Sequence, residues 1–381
     1  MHDFLSAARA RHEEMLGFTR ELIAIPTENP PGNCYGAAVQ AIVARLRALG
    51  FEAQIAGDCV LSFIGSGERT VYFSGHYDVV PAQSREQFEP AVKGANLFGR
   101  GSSDMKSGLA AMTCAAAMLR DSGALSNGRI GLVFVPDEET AGPRGSRFLE
   151  AEGLLGRNAI AMLTPEPTGG VVWNANRGAI TLRVALRGKI AHVGRQREGV
   201  NAFEKMLAVA DAVRELKKEV EERATAYRIA PEPLRRSILM MGGQCGSGSG
   251  FNAVPQECWF TIDRRINPEE NFETEKRRLL EALGGCDVEI LQEGAAAGTE
   301  EDCSAGRALA GAMRRVTGRD ASFEMCPGLL ETRFYAARGI PAFAYGPGLL
   351  TVSHGPNEFV PVERIAECAA IYAETAAELL G

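Results

Sequence analysis

The 381-residue chain has no uninterrupted apolar run near the ~18 residues that a membrane-spanning helix needs. It also lacks a signal-like start. Asp3, Arg9, Arg11, Glu13 and Glu14 interrupt the apolar residues of segment 1–20, so the chain is expected to stay in the cytoplasm. None of its nine cysteines is spaced CxxC, and an odd, scattered set argues for free thiols in a reducing compartment, against a disulfide frame or a zinc ribbon. An excess of basic charge is missing as well. At a formal charge of −7 the chain is a poor partner for phosphate backbones, which excludes nucleic acid as the expected ligand. Internal repeats and low-complexity tracts are absent, so solenoid and linker architectures drop out too.

The chain does have the length for two cores and the composition of a globular protein, with 45% apolar and 23% charged residues. Helical periodicity runs through residues 3–24 and 34–49. Short apolar runs follow at 71–74, 130–135 and 160–163, each ending in polar, Gly or Pro residues, with a helical segment at 106–120. This alternation predicts an α/β layered sheet, whose reactive groups belong beyond the carboxyl ends of the strands. Residues 179–290 read differently. An alternating strand at 180–186 precedes Asn201, which opens a long helix with Glu204 three residues on and Phe203, Met206, Ala210, Val213, Leu216 and Val220 on one face. Strands at 238–241 and 258–262, a charged helix near 269–283 and a strand at 288–291 complete a βαββαβ order. This segment is expected to be a small domain inserted into a larger one made of residues 1–178 and 291–381, to which helical patterns at 305–316 and 364–380 return the chain.

The histidines point to the chemistry. His2 and His12 sit in the charged N-terminal helix and read as solvated, whereas the other three lie in short polar motifs. In Ser74-Gly75-His76-Tyr77-Asp78, His76 at a strand end can ligate a metal while Asp78 accepts its other N–H; a capped turn with a hydrogen-bonded histidine explains the motif equally well. The glycine-rich stretch Gly99-Arg100-Gly101-Ser102-Ser103-Asp104 lacks phosphate-loop spacing. Asp104 would repel a phosphate and better suits a bridge between two cations. In Pro136-Asp137-Glu138-Glu139 the adjacent carboxylates repel unless one binds metal or takes a proton; one can ligate while the other serves as general base, although an isolated pair is more often a solvated turn. Thr164-Pro165-Glu166-Pro167 holds a further carboxylate between prolines, and Ser353-His354-Gly355-Pro356-Asn357-Glu358 brings a late histidine. A mixed His/carboxylate set of this kind suits zinc, cobalt or manganese, and a bridging Asp suits two ions about 3.5–4 Å apart.

These five motifs in this order, together with Ile25-Pro26-Thr27 and Asn29-Pro30-Pro31-Gly32, resemble the M20 family of metallopeptidases and deacylases over essentially the whole chain. The resemblance implies a mixed-sheet α/β catalytic domain carrying two metal ions, with an inserted ferredoxin-like α+β lid and dimerisation domain at 179–290. It assigns His76, Asp104 and Glu166 to one ion, with Asp104 bridging to a second held by Glu139 and His354. Asp78 would orient His76, and Glu138 would be the general base. In the inserted domain it makes His192 an oxyanion donor reaching the partner subunit's site, and Asn252 and Arg265 ligands of the substrate carboxylate, a task that a forked guanidinium fits. The two ions would be Zn2+, with Co2+ or Mn2+ as alternatives. The expected protein is therefore a homodimer through the lid domain that hydrolyses an amide bond in a small carboxylate-bearing substrate. An N-acyl-amino-acid deacylase of the acetylornithine or succinyl-diaminopimelate type leads, and a dipeptidase or carboxypeptidase is the alternative.

Two features bear on that choice. Many members carry a Gly-Thr-Asp-like segment where this chain reads Pro327-Gly328-Leu329-Leu330-Glu331-Thr332-Arg333, with Glu331 in place of the acid. The stretch before Ala305 has no arginine comparable to that of the glutamate carboxypeptidases, and Glu166 stands where the carbamoyl-amide branch places a histidine.

Overall fold

An apolar run without alternation needs cover on both faces of its strand. In the computed structural model, which describes residues 2–381, the runs have that cover. Along Gly128–Val135, Ile130, Leu132 and Phe134 enter one core while Val133 and Val135 enter another; along Arg69–His76, Val71 and Phe73 oppose Tyr72 in the same way. The first core is built with the helices Tyr35–Ala48, Lys106–Asp121, Ser304–Thr317 and Val362–Leu380. The second is closed by Leu149, Leu155, Phe334 and Tyr335.

The strands order as Gln54–Ala56, Cys59–Gly65, Gly128–Val135, Arg69–His76, Ala159–Thr164 and Ala342–Ala344. The last four run parallel to one another, whereas Cys59–Gly65 is antiparallel to Gly128–Val135, so the sheet is mixed. Each parallel strand ends on a motif singled out above: His76, then Pro136–Glu139, Thr164–Glu166, and the loop that leads to His354. The periodicity at 3–24 predicts one helix, but there are two, Phe4–Ala10 capped by Asp3 and His12–Ile23, because Arg11 leaves helical geometry between them. The chain forms two compact units, this one comprising Met1–Asn174, Gly298–Glu324 and Glu331–Gly381.

The other unit is Ala175–Ala297 with Met325–Leu330. Its antiparallel sheet is ordered Ile238–Ser247, Glu257–Ile266, Gly178–Arg187, Asp287–Gly294, and its element order is βαββαβ. Burial along Glu257–Ile266 alternates strictly, as expected for a sheet covered on one face. Ile180, Leu182, Val184, Phe260 and Ile262 pack there against Met206 and Val213 of the helix Ala202–Val220 and Leu279 of the helix Phe272–Ala282. Asn201 caps the first of these helices, accepting from the amides of Phe203 and Glu204 at 3.0 and 3.2 Å. Asn271 caps the second. Among the described residues no helix is long and apolar enough to cross a membrane.

Candidate active site

The carboxyl ends of the parallel strands bring together six side chains that sequence reasoning singled out. His76, Asp104 and Glu166 each offer a ligand atom within 4.8 Å of one another, and so do Asp104, Glu139 and His354. Asp104 belongs to both sets. Its two oxygens face different imidazoles, with Oδ1 3.2 Å from His76 Nε2 and Oδ2 3.4 Å from His354 Nε2. Glu139 Oε2 is 3.3 Å from His354 Nε2. Glu138 lies outside both sets, with Oε2 3.9 Å from His76 Nε2.

The local backbone explains how these groups are held. Gly108, in the first turn of Lys106–Asp121, lies where a Cβ would come within 2.5 Å of Pro165, so only glycine lets that helix approach the Pro165–Glu166 bend. Asp137 sits at φ 64° and His354 at φ 65°, left-handed conformations that cost a non-glycine residue about 1 kcal/mol or more. Asp137 is pinned there by the Tyr35 hydroxyl, donating at 2.9 Å, and by the Arg144 amide at 3.0 Å, and this fixes the entry to Glu138 and Glu139.

Asp78 does more than the sequence suggests. The closest partner of His76 Nδ1 is the backbone carbonyl of Asp78 at 3.0 Å, with the carboxylate at 3.4 Å. The carboxylate itself accepts from the backbone amides of Glu138 and Glu139 at 3.3 and 3.2 Å and from Asn29 Nδ2 at 2.9 Å. It therefore ties the His76 strand to the acidic loop. The Asn29-Pro30-Pro31-Gly32 motif is the sequence signal for Asn29, although the motif alone does not specify this contact.

The electrostatics decide whether a cation fits. Asp104, Glu138, Glu139 and Glu166 share one buried space; Glu139 Oε1 and Glu166 Oε1 are buried without a hydrogen-bond partner, and Asp104 Oδ1 has only the His76 imidazole beside it. Burial pushes the Glu166 carboxyl up to about 8 and raises those of Glu138 and Glu139, with mutual repulsion adding to the effect. Burial also opposes ionisation of Asp104, but the neighbouring imidazoles outweigh it and hold its carboxyl below the usual range. Those contacts with Asp104 and Glu139 in turn push His354 up to about 10. Orphaned buried carboxylate oxygens are costly unless paired with positive charge. Two imidazoles with three carboxylates around a shared aspartate are a donor set that fits two divalent ions.

The remaining sequence-predicted residues, His192, Asn252 and Arg265, belong to the second unit. His192 and Asn252 are exposed neighbours: the Val193 amide donates to the Asn252 carbonyl at 2.9 Å, and His192 bridges to Ala253. His192 Nδ1 accepts from the Gly194 amide at 3.1 Å, which leaves the proton on Nε2 as an exposed donor. The Arg265 fork is engaged with Asp263 at 2.6 and 2.9 Å on the same strand. Glu331, in the atypical segment, is buried in the first unit. It accepts from the Ser146 hydroxyl and lies 3.6 Å from Arg333 Nη2.

A probable succinyl-diaminopimelate desuccinylase of Staphylococcus epidermidis is 30% identical over 227 residues, which are 54% of this chain and 56% of that protein; the chain thus spans about half the length of this relative. An M20 family metallo-carboxypeptidase from Sulfolobus solfataricus has the same fold at a TM-score of 0.80 and 18% identity, covering 96% of this chain and 99% of its own. A di-peptidase from Saccharomyces cerevisiae follows at a TM-score of 0.76 and 15% identity, covering 99% and 98%. At such identities the likeness speaks for the fold alone. The sequence of residues 72–378, which holds every strand-end motif described above, matches peptidase family M20/M25/M40, and the chain belongs to that family.

Proposed function

We propose that the protein is a two-metal amidohydrolase that removes the acyl group from a small N-acyl amino acid, as a deacetylase or desuccinylase does. The observation that carries this reading is the pair of ligand sets sharing Asp104, with orphaned carboxylate oxygens in each and one further acid, Glu138, beside them. His76, Asp104 and Glu166 would hold one ion, and Asp104, Glu139 and His354 the other. Two such ions, zinc or else cobalt or manganese, supply a water of lowered pKa and a Lewis acid for the amide carbonyl.

The protein's own part is proton transfer and orientation. Glu138 takes the proton of the attacking water on its carboxylate and returns it to the leaving amine nitrogen. Burial, reinforced by Glu166 and Glu139 and opposed by His76, raises its basicity. Asp78 orients His76 and fixes the Glu138–Glu139 backbone. The exposed Nε2–H of His192 is assigned to the oxyanion, and Asn252 and Arg265 to the substrate carboxylate. A homodimer through the second unit is supported by the half-exposed Phe203 and Leu207, which line an apolar cavity of about 240 Å³ with Cys245 and Trp259.

A second reading is a dipeptidase or carboxypeptidase on the same scaffold, the activities named for the metallo-carboxypeptidase and di-peptidase that share its fold. The test is hydrolysis of a panel of N-acyl amino acids and dipeptides by chelated protein, then by the same protein reloaded with zinc or cobalt. Activity that returns with metal on acyl amino acids supports the deacylase, and activity on dipeptides alone supports the alternative. Turnover that survives verified metal removal overturns both.

A further inference from the structure

Two of the proposed ligands, Asp104 and His354, stand on segments that are neither helix nor strand, so hydrogen bonding must hold them in place. One buried ion pair reaches both segments. Arg100 and Glu358 are 1% and 2% exposed, and Arg100 Nη1 donates to Glu358 Oε2 at 2.6 Å. Glu358 Oε1 accepts the backbone amides of Ser103 at 2.9 Å and of Asp104 at 3.1 Å. Arg100 Nη2 donates to the His354 carbonyl at 3.2 Å and to Gln83 Oε1 at 2.9 Å, and Gln83 Nε2 donates to the same carbonyl at 3.0 Å. The Arg100–Glu358 pair thus spans from the amide of one ligand to the carbonyl of the other.

Stability does not account for the arrangement. A buried ion pair of this kind contributes no more to folding than apolar residues of similar volume, because both charges must leave water. Here Arg100 Nε is buried with no partner at all, an added cost. What the pair supplies is geometry, and it does so where His354 is strained at φ 65° and its side chain is half exposed, with little packing to hold it. We infer that Arg100, Glu358 and Gln83 are positioning residues that set the spacing of Asp104 and His354, and so the metal affinity of the site that those two form with Glu139.

The inference rests on the proposed two-metal reading, and the test separates them. Chelated full-length protein is titrated with Co2+ while the visible absorption of bound cobalt is followed, and the melting temperature of the metal-free protein is measured alongside. The unsubstituted chain is expected to take up two equivalents. In Glu358→Gln, whose single carbonyl oxygen cannot accept from both Arg100 and the Ser103 and Asp104 amides, the equivalent held with His354 should weaken about 10- to 100-fold with an altered spectrum, and the other, which shares Asp104, by less. Gln83 is exposed, so Gln83→Ala folds whatever the fate of the buried variant, and it should weaken the same equivalent by a smaller factor of about 3 to 10. Two equivalents bound with unchanged affinity and spectrum by Gln83→Ala and by folded Glu358→Gln would overturn the inference and leave the two-metal reading intact. No cobalt uptake by the unsubstituted chain would overturn both.

Discussion

Each unit of this protein buries a cluster of charges, and the two clusters are built on opposite principles. In the second unit Arg264, Arg223, Glu270 and Glu275 neutralise one another. Glu275 accepts from Arg264 at 2.9 Å and contacts Arg223 at 2.8 Å, and Glu270 takes Arg223 at 2.8 Å, Arg264, the Ser237 hydroxyl and the Asn267 amide. All four carboxylate oxygens are engaged. Burial alone would raise both acids, yet their partners hold both below the usual carboxylate range. In the first unit four acids are crowded around two histidines, two oxygens have no partner and a third only an imidazole, and Glu138, Glu139 and Glu166 are pushed up. The first kind of cluster is complete as folded. The second is complete only with added positive charge. Burial does not distinguish a structural charge network from a chemical one; hydrogen-bond satisfaction does.

The largest expected effect breaks the comparison at its catalytic end. Glu138→Ala removes the acid that lies outside both ligand sets, so turnover should fall by about 10²–10⁴, the usual worth of a general base, while metal content stays near that of the unsubstituted enzyme. Metal analysis beside kcat checks it, and loss of an ion would mean that Glu138 and Glu139 have their roles exchanged.

Next comes a pair of substitutions with opposite signs. Glu275→Ala leaves Arg264 and Arg223 to share Glu270 alone in the second unit and should cost about 1–3 kcal/mol in denaturant unfolding. Glu166→Gln in metal-free protein removes one of the crowded acids, so it should leave stability unchanged or raise it, while metal binding is lost. Equal destabilisation by both would show that the first cluster is also self-sufficient.

The third effect depends on pH. In the metal-free site Glu166, pushed up to about 8, and His354, at about 10, hold protons at pH 7 that an entering ion must displace. Raised pKa values make the protonated form dominate below them, so metal affinity should rise with pH through 7 to 8, by about tenfold per unit for each proton released. Calorimetric titrations at pH 6.5 and 7.5, in buffers of different ionisation enthalpy, count those protons. A pH-independent affinity would mean that Glu166 and His354 are already deprotonated at pH 7.

Much of the candidate site was legible because four of its six residues follow apolar runs. His76, Glu138, Glu139 and Glu166 sit at the ends of parallel strands, where one-dimensional reading and the carboxyl-end rule coincide. The βαββαβ order of the second unit was legible from its change of period. Illegible were the residues that hold others at long range. Asn29 lies 49 residues from the Asp78 carboxylate to which it donates and Glu358 lies 254 residues from the Asp104 amide that it accepts, and no spacing rule links such partners. The strand Cys59–Gly65 also went unread, and the helix break at Arg11 carries no glycine or proline to announce it. Meanwhile Arg264 and Arg265 are adjacent in sequence yet alternate across the sheet, one buried in the charge network and the other on the opposite face.

Arg265 therefore offers the smallest and sharpest test. Its pairing with Asp263 is only partly buried, at 26% and 20% side-chain exposure, so Asp263→Asn should change stability by no more than about 1 kcal/mol. The pair nevertheless occupies the fork that the proposed substrate carboxylate needs. Releasing it should lower KM severalfold with kcat nearly unchanged, while Arg265→Lys, which cannot offer the fork, should raise KM. A rise in KM for Asp263→Asn would mean that Asp263 holds Arg265 in its binding pose. If neither substitution moves KM, Arg265 belongs with the self-satisfied charges of its own unit, and recognition of the carboxylate has to be sought in the buried Glu331–Arg333 segment of the other.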